Sequence, residues 1–291
     1  MIRLFAADLD GTLLNNDSKL EQKTIDAIRA FQEQGGIFMV ATGRNVWEYS
    51  EVKEHVRDVI SNCLNGAVLY DKEDREIFSF PVEKEAVRRF DAFVREFDLP
   101  VIYHSEGCRY CPLAMEELQK PVTDYLVKEE GFSKEEALEF FHYVFNDGRT
   151  VYTSSLEDLL SSRIFKMEVV FIKEKQYPKM INICKELFPD HNVVDGSFYN
   201  NIEVTGSKSD KGELIRKYCK LTKIEEDEVA VIGDSGNDIG MLKGFRNSYA
   251  MQNAPREVRE VATYIADDND SFGAAKVLEE ICRRNREEAD A

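Results

Sequence analysis

Short, unbroken apolar runs recur along the chain, and polar residues gather where each run stops. Arg3-Leu4-Phe5-Ala6-Ala7 ends at Asp8, Gly36 to Ala41 (GIFMVA) ends at Thr42, and Val229-Ala230-Val231-Ile232 ends at Gly233-Asp234. Each run is too short for a helix and has β-branched or aromatic content. This predicts strands covered on both faces, as in a parallel sheet. Helical spacing falls between the runs. Residues 18–34 place Leu20, Ile25, Ile28 and Phe31 on one stripe, open with a Ser18-x-x-Glu21 capping box and stop at Gly35-Gly36. Residues 209–220 place Leu214, Ile215, Tyr218 and Cys219 on one face. Residues 254–262 follow Asn253 as an N-cap, with Pro255 in the first turn. Strand and helix alternate over residues 1–80 and again from 205 to the end, the pattern of an α/β domain.

Residues 82–204 read differently. An amphipathic helix over 82–97 carries Val82, Ala86, Phe90, Phe93 and Phe97 inward, and a short hairpin is expected from 100–105 and 108–112. A helical region over 115–145, a strand at 165–172, a helix at 177–188 and strands at 191–194 and 199–204 complete an α+β module set into the α/β domain. The charged tail, residues 283–291, is expected to fray.

Composition narrows the partners. The formal net charge is -17, which repels nucleic acid and anionic membrane surfaces, and an anionic substrate would need a local positive centre. No apolar stretch has the length of a membrane span, and the N-terminal one is too short for a signal peptide and is broken by an acidic pair. No obligate protein partner is implied. The six cysteines form no paired framework, which leads to the expectation of a reducing cytosol. Cys108-Arg109-Tyr110-Cys111, with His104 nearby, lacks the further ligands that a zinc or redox site needs and reads as two ordinary thiols.

The run ends carry the chemistry. Asp8-Leu9-Asp10-Gly11-Thr12-Leu13 offers two carboxylates two residues apart on an extended strand end, with a glycine for the turn. Thr42-Gly43-Arg44 ends the second run, and Gly233-Asp234-Ser235-Gly236-Asn237-Asp238 the third. In open α/β sheets ligands sit outside such ends. Lys211-Gly212 opens a helix whose N–H groups also favour anions. Asp8, Asp10, Asp234 and Asp238 in one small site repel strongly, by roughly 4 kcal/mol for a pair about 4 Å apart even at an effective dielectric of 20. Such a cluster requires a cation or proton uptake, and oxygen ligands around a hard cation with a phosphate to coordinate point to Mg²⁺. A metal, the Lys211 charge, and the Thr42 hydroxyl and N–H around transferring oxygens are what phosphoryl transfer needs.

D-L-D-G-T-L at 8–13, A-T-G-R at 41–44, N-G-A at 65–67, D-K-G at 210–212, G-D-S-G-N-D at 233–238 and N-A-P at 253–255 match in order and spacing. On these motifs the chain resembles the haloacid dehalogenase superfamily, and within it the Cof-like sugar-phosphatase branch. The resemblance implies a Rossmann-like parallel-sheet core, residues 1–81 and 205–291, with an inserted α+β cap of the C2 type, residues 82–204, that sets specificity. It implies Asp8 as nucleophile and metal ligand, and Asp10 as general acid/base that binds metal through its backbone carbonyl. Thr42, Gly43, Lys211, Asn237 and the backbone of Leu9 would hold the phosphoryl group. Asp234 would bind Mg²⁺, with Asp238 in the surrounding shell. Arg44 and Asn65 lie near the site with no direct contact assigned. Gln252 stands where the branch often has glycine, which leaves the role of Asn253 open. The implied activity is hydrolysis of a small phosphate ester, a sugar phosphate or related monoester, through an aspartyl-phosphate. A phosphomutase and a catalytically idle binding protein on the same fold are the alternatives. Asp10, two residues after the nucleophile, argues against a P-type ATPase, which has threonine there, and against a dehalogenase, which has no use for a second aspartate.

Overall fold

The computed structural model describes residues 1–196 and 200–290. The chain divides into two compact units, Met1–Ser79 with Ser209–Ala291, and Phe80–Lys208. It enters unit 1 through β1 (Leu4–Ala7), α1 (Gln22–Glu33), β2 (Ile37–Ala41), α2 (Ser50–His55), β3 (Ile60–Cys63), β4 (Val68–Tyr70) and β5 (Glu76–Ser79). β1 and all of β2 beyond its first residue are buried, as the unbroken apolar runs require. Helix α1 starts at Gln22, and the expected Ser18–Glu21 capping box does not form. Asn15 is the reason. Its Oδ1 accepts from the N–H groups of Asp17 and Lys19, and its Nδ2 donates to Glu21 Oε1, which occupies the carboxylate the box needed.

Unit 2 runs α3 (Lys84–Glu96), β6 (Val101–His104), β7 (Arg109–Cys111), α4 (Met115–Glu129), α5 (Lys134–Phe145), β8 (Thr150–Tyr152), α6 (Leu156–Ser161), β9 (Lys166–Val169), α7 (Tyr177–Leu187), β10 (Asn192–Asp195) and β11 (Ile202–Thr205). The expected helical region resolves into two helices, divided at Gly131 (φ 76°), with Ser133 capping the second. The strand expected over 165–172 is shorter because Phe171 turns left-handed (φ 56°) and gives its N–H to Asn201 Oδ1. Of the strand expected over 199–204, Tyr199 lies outside the described residues. The sheet order is β10-β11-β9-β6-β7-β8, antiparallel except for the β7–β8 pair. One face packs Val101, Tyr103, Met167, Val169, Ile202 and Val204 against α3, α6 and α7. The other is apolar only in part, where Ile102 and Cys111 meet α4 and α5.

The chain re-enters unit 1 through α8 (Lys211–Thr222), β12 (Val229–Gly233), α9 (Ile239–Gly244), β13 (Asn247–Met251), α10 (Arg256–Arg259), β14 (Tyr264–Ala266) and α11 (Gly273–Ala289). The eight-stranded sheet has the order β14-β13-β12-β1-β2-β3-β4-β5, parallel from β14 to β3 and antiparallel at β4 and β5. From β1 the first arm winds one way and the second arm the other, so the switch point lies between β1 and β12. Right-handed crossovers in opposite directions put the connecting helices of the two arms on opposite faces, while α11, which follows the last strand, packs on α1. Helix α10 is only one turn, and Asn253 does not cap it; its amide is bound elsewhere, as described below. The tail is ordered helix to Ala289, tied by Arg283 to Glu280 and Glu287, rather than frayed; Ala291 lies outside the described residues. All six cysteines are free, and Cys111 packs in an apolar cluster. Among the described residues no helix is long and apolar enough to cross a membrane.

Candidate active site

β1 and β12 are in parallel register, Ala7 beside Ile232, so Asp8 and Asp234 emerge side by side at the switch point. Asp8 N–H donates to Ile232 O at 3.0 Å, which holds the strand end. The chain then turns on Gly11 (φ 73°), and Leu14 N–H closes the loop on Leu9 O at 2.9 Å. A Cβ on Gly11 would stand 2.4 Å from Asp234 Oδ2, so the backbone must be bare there for the carboxylate to pack. Thr12 Oγ1 donates to the other Asp234 oxygen at 3.1 Å.

Lys211, at the start of α8, is fully buried, and its Nζ lies 2.7 Å from Asp8 Oδ1, 2.7 Å from Asp238 Oδ1 and 3.3 Å from Asn237 Oδ1. Asp238 Oδ2 accepts from the N–H groups of Asp234 and Ser235, both at 3.0 Å, so both of its oxygens are engaged. The start of α8 is itself seated by the Asn65-Gly66 turn. Leu64 and Asn65 both adopt left-handed backbone (φ 52° and 57°), a strain of about 1–3 kcal/mol each. Their turn brings Asn65 Oδ1 within 3.1 Å of Asn237 Nδ2 and lays Gly66 against the Asp210–Lys211 backbone, where a Cβ would stand 2.3 Å from Asp210 C. Asn62 Nδ2 holds Lys211 O at 2.9 Å.

Thr42, at the end of β2, is buried. Its N–H is committed to Asn62 O at 2.8 Å, which removes the N–H donor expected from the sequence. Its hydroxyl accepts from Arg44 N–H at 3.1 Å and keeps its own proton to donate. Asp10 stands apart from the other carboxylates. Arg44 grips both of its oxygens, Nε to Oδ2 at 2.8 Å and Nη2 to Oδ1 at 2.5 Å. Sequence reasoning left Arg44 without a contact and assigned nothing to Thr12 or Asn62. A-T-G-R and D-G-T contained Arg44 and Thr12 but not the direction of their side chains. Asn253 Nδ2 donates to Gly11 O at 2.9 Å, which gives that residue a place beside the turn that follows β1.

Asp8, Asp234 and Asp238 bring carboxylate oxygens within 4.8 Å of one another. Three carboxylates face one ammonium. Burial, reinforced by Asp238, pushes Asp234 up to about 7. Burial also raises Asp8, against the pull of Lys211 and with Asp238 and Asp234 adding to it. Burial works to discharge Lys211, but Asp238 and Asp8 outweigh it and hold the ammonium charged. An oxygen-only cluster with excess negative charge fits a hard divalent cation.

The comparisons agree with this geometry. Residues 5–278 match the family model of haloacid dehalogenase-like hydrolases. The chain is similar to the MG125 protein of Mycoplasma genitalium, 29% identical over 96% of this chain and 95% of that one. It is also similar to 5-amino-6-(5-phospho-D-ribitylamino)uracil phosphatase YwtE of Bacillus subtilis, 23% identical over 96% and 98% of the two chains. Its fold is similar to the structure of a haloacid dehalogenase-like hydrolase from B. subtilis, with a TM-score of 0.81 at 23% identity, covering 96% and 99% of the chains. The chain belongs to the haloacid dehalogenase-like hydrolases, in the Cof-like family, and is a phosphatase acting on phosphoric monoesters.

Proposed function

We propose that this haloacid dehalogenase-like hydrolase is a Mg²⁺-dependent phosphatase that transfers the phosphoryl group of a small metabolite to Asp8 and then to water. The observation that carries the proposal is the buried Lys211 ammonium between Asp8 and Asp238, at the ends of two adjacent parallel strands. One Asp8 oxygen is tied to Lys211, which fixes the carboxylate and leaves the other oxygen to attack phosphorus. Lys211, Asn237, the Thr42 hydroxyl, Gly43 and the Leu9 backbone hold the phosphoryl oxygens, and the lysine charge answers the charge that develops there. Asp10 gives a proton to the departing oxygen and later takes one from water. To do so it exchanges its Arg44 contacts for the substrate. Asp8, Asp234 and the Asp10 carbonyl, with Asp238 beside them, would hold a Mg²⁺ ion, which would supply the positive charge that admits a phosphate dianion among carboxylates.

The substrate is a phosphorylated sugar, polyol or related monoester. This reading draws support from relatives named for hydrolysis of a phosphoribityl compound, YwtE among them. Residues 82–204 act as the inserted domain that reads the part of the substrate beyond the phosphate. Hydrolysis of p-nitrophenyl phosphate tests the core of the proposal. Turnover is expected to vanish on chelation and to return with Mg²⁺ better than with Ca²⁺, whose looser coordination misplaces the nucleophile. Full activity after exhaustive metal removal would end this reading.

A further inference from the structure

Arg44 is built into unit 1 more firmly than a surface arginine. Its N–H donates to Thr42 Oγ1 at 3.1 Å, and its carbonyl accepts from Leu64 N–H at 3.1 Å. Its Nη1 donates to Glu48 O at 3.2 Å, and Glu48 in turn holds Asn45 N–H through Oε2 at 2.7 Å. Asn45 also caps the single turn Val46–Tyr49, so the carbonyl that holds the guanidinium is itself fixed. The rest of the fork reaches Asp10, with Nε 2.8 Å from Oδ2 and Nη2 2.5 Å from Oδ1.

Among the described residues, Arg44 is the only hydrogen-bond donor to the Asp10 carboxyl. The Asp10 side chain is 15% exposed and that of Arg44 28%, so water covers little of the pair. The backbone of Asp10 is extended (φ -77°, ψ 127°) and leads straight into the Gly11 turn, which places the carboxyl but does not aim it. Its aim comes from the guanidinium. A bidentate fork fixes the plane of a carboxylate as well as its distance, which a single ammonium does not. Each carboxylate oxygen has two lone pairs, and the fork takes one on each. A proton carried by Asp10 in this place therefore sits on the side turned away from Arg44.

We propose that Arg44 is a positioning residue of the phosphatase reaction: its guanidinium sets the place from which Asp10 delivers a proton and to which the carboxyl returns. The proposal rests on the reading of Asp10 as the group that carries protons. In the first half, Asp8 bonds to phosphorus, the bond from phosphorus to the leaving oxygen breaks, and the Asp10 proton passes to that oxygen. In the second half, water attacks phosphorus, the Asp8 bond breaks, and a proton of the water passes to Asp10. Arg44 keeps all of its own protons throughout. Between the halves it draws the emptied carboxylate back, so Asp10 meets the water from the position it left. A carboxylate without that anchor loses the alignment, and a misplacement of about 1 Å at a reacting group costs up to ~10²-fold in rate.

The test compares phenyl phosphate with p-nitrophenyl phosphate. The two are close in shape, but phenolate is the poorer leaving group and depends more on the proton. Rapid-quench measurement with Mg²⁺ gives the rate of the phosphorylation step on each ester, and the ratio of the two reads the aim of Asp10. Arg44→Gln keeps a donor and removes the fork, and Arg44→Lys keeps the charge, which protects the fold, but grips the carboxyl at one point. Both leave the backbone bond to Thr42 in place. Each is expected to lower the phenyl-to-nitrophenyl ratio about tenfold, and to slow hydrolysis of the aspartyl-phosphate by a similar factor whichever ester formed it. In an Asp10→Asn background both effects are expected to disappear, because a residue that acts through Asp10 then has no proton carrier to aim. An unmoved ratio in the folded Arg44 variants would overturn the proposal. So would an Arg44 effect that persists undiminished beside Asp10→Asn, which would mean direct action on the substrate. Equal losses on the two esters in Asp10→Asn alone would instead remove the proton-transfer reading on which the proposal stands.

Discussion

Lys211 places one ammonium against two carboxylates and an amide oxygen, and in a site this buried the charge survives only because those partners are fixed. Replacing it with Met keeps much of the length and removes the charge. The expected loss in kcat is roughly 10²–10³-fold, as for other preorganised donors, and steady-state kinetics on an aryl phosphate would measure it. Asp10 calls for a different test, because its two oxygens rest on Arg44 and the work proposed for it is proton transfer. A sugar alkoxide needs a proton to leave, whereas a nitrophenolate does not. Asp10→Asn is therefore expected to slow phosphorylation far more with a sugar phosphate than with an aryl phosphate. With the aryl ester, hydrolysis of the intermediate should stall for want of a base. A rapid-quench experiment would then show a burst of about one nitrophenolate per enzyme before a slow steady state. Equal losses on both substrates in the first step would take Asp10 out of the general-acid role.

The turn after β1 connects these residues to the fold, and Gly11 is its pivot. Gly11 and Gly35 both have positive φ (73° and 82°), yet a Cβ on Gly11 would meet the Asp234 carboxylate, while one on Gly35 would meet nothing within 4 Å among the described residues. Gly35→Ala is expected to cost about 1 kcal/mol of stability and leave kcat alone. Gly11→Ala combines that strain with a collision against Asp234, so kcat should fall by more than about 10²-fold and the Mg²⁺ concentration for half-activity should rise. Activity titrated with Mg²⁺ in both variants separates the two costs. The same turn shows what was legible in the sequence. The strands β1, β2 and β12 and the polar residues at their tips could be read directly, because burial on both faces forces continuous apolar runs and a sheet edge gathers whatever follows them. The capping box at Ser18, the α10 helix and the frayed tail failed for local reasons. Asn15 captured Glu21, the Asn253 amide bound Gly11 O instead of capping, and Arg283 braced the last helix internally through Glu280 and Glu287. Arg44 on Asp10 and Asn65 on Asn237 could not be read, since both depend on where side chains 34 and 172 residues apart come to rest. The left-handed backbone at Leu64 carries no sequence signal, because leucine rarely adopts it.

At the scale of the whole molecule, a chain of net charge -17 concentrates three carboxylates around one lysine in the interior of unit 1, and that arrangement costs stability until a cation joins it. Asp234 gives the cost a pH signature. Burial, with Asp238 beside it, lifts its folded value to about 7, above the ordinary value near 4. A carboxyl whose folded pKa is raised holds its proton more tightly folded than unfolded. Its effect is absent below about pH 4, stability is lost as pH rises from there to about 7, and no further loss follows once both states are ionised. Asp234→Asn carries no such charge, while its amide oxygen can still accept from Thr12. In metal-free buffer, wild type should therefore lose stability relative to Asp234→Asn between pH 5 and pH 8. The unit 1 melting transition should show the difference as several degrees, because about 1 kcal/mol shifts Tm by about 2–4 °C in a chain this size. Mg²⁺ binds the folded state alone, so at pH 8 it should raise the wild-type transition, by about 2.7 kcal/mol at a hundredfold excess over Kd. The Asn variant should respond weakly or not at all. Differential scanning calorimetry at both pH values, with chelator and with Mg²⁺, gives four curves per protein. Parallel pH dependence in the two proteins would mean that Asp234 is not strained by its neighbours. An equal Mg²⁺ shift in both would place the cation away from Asp234. The pattern expected here ties the low metal-free stability of the site to the charge that the metal neutralises.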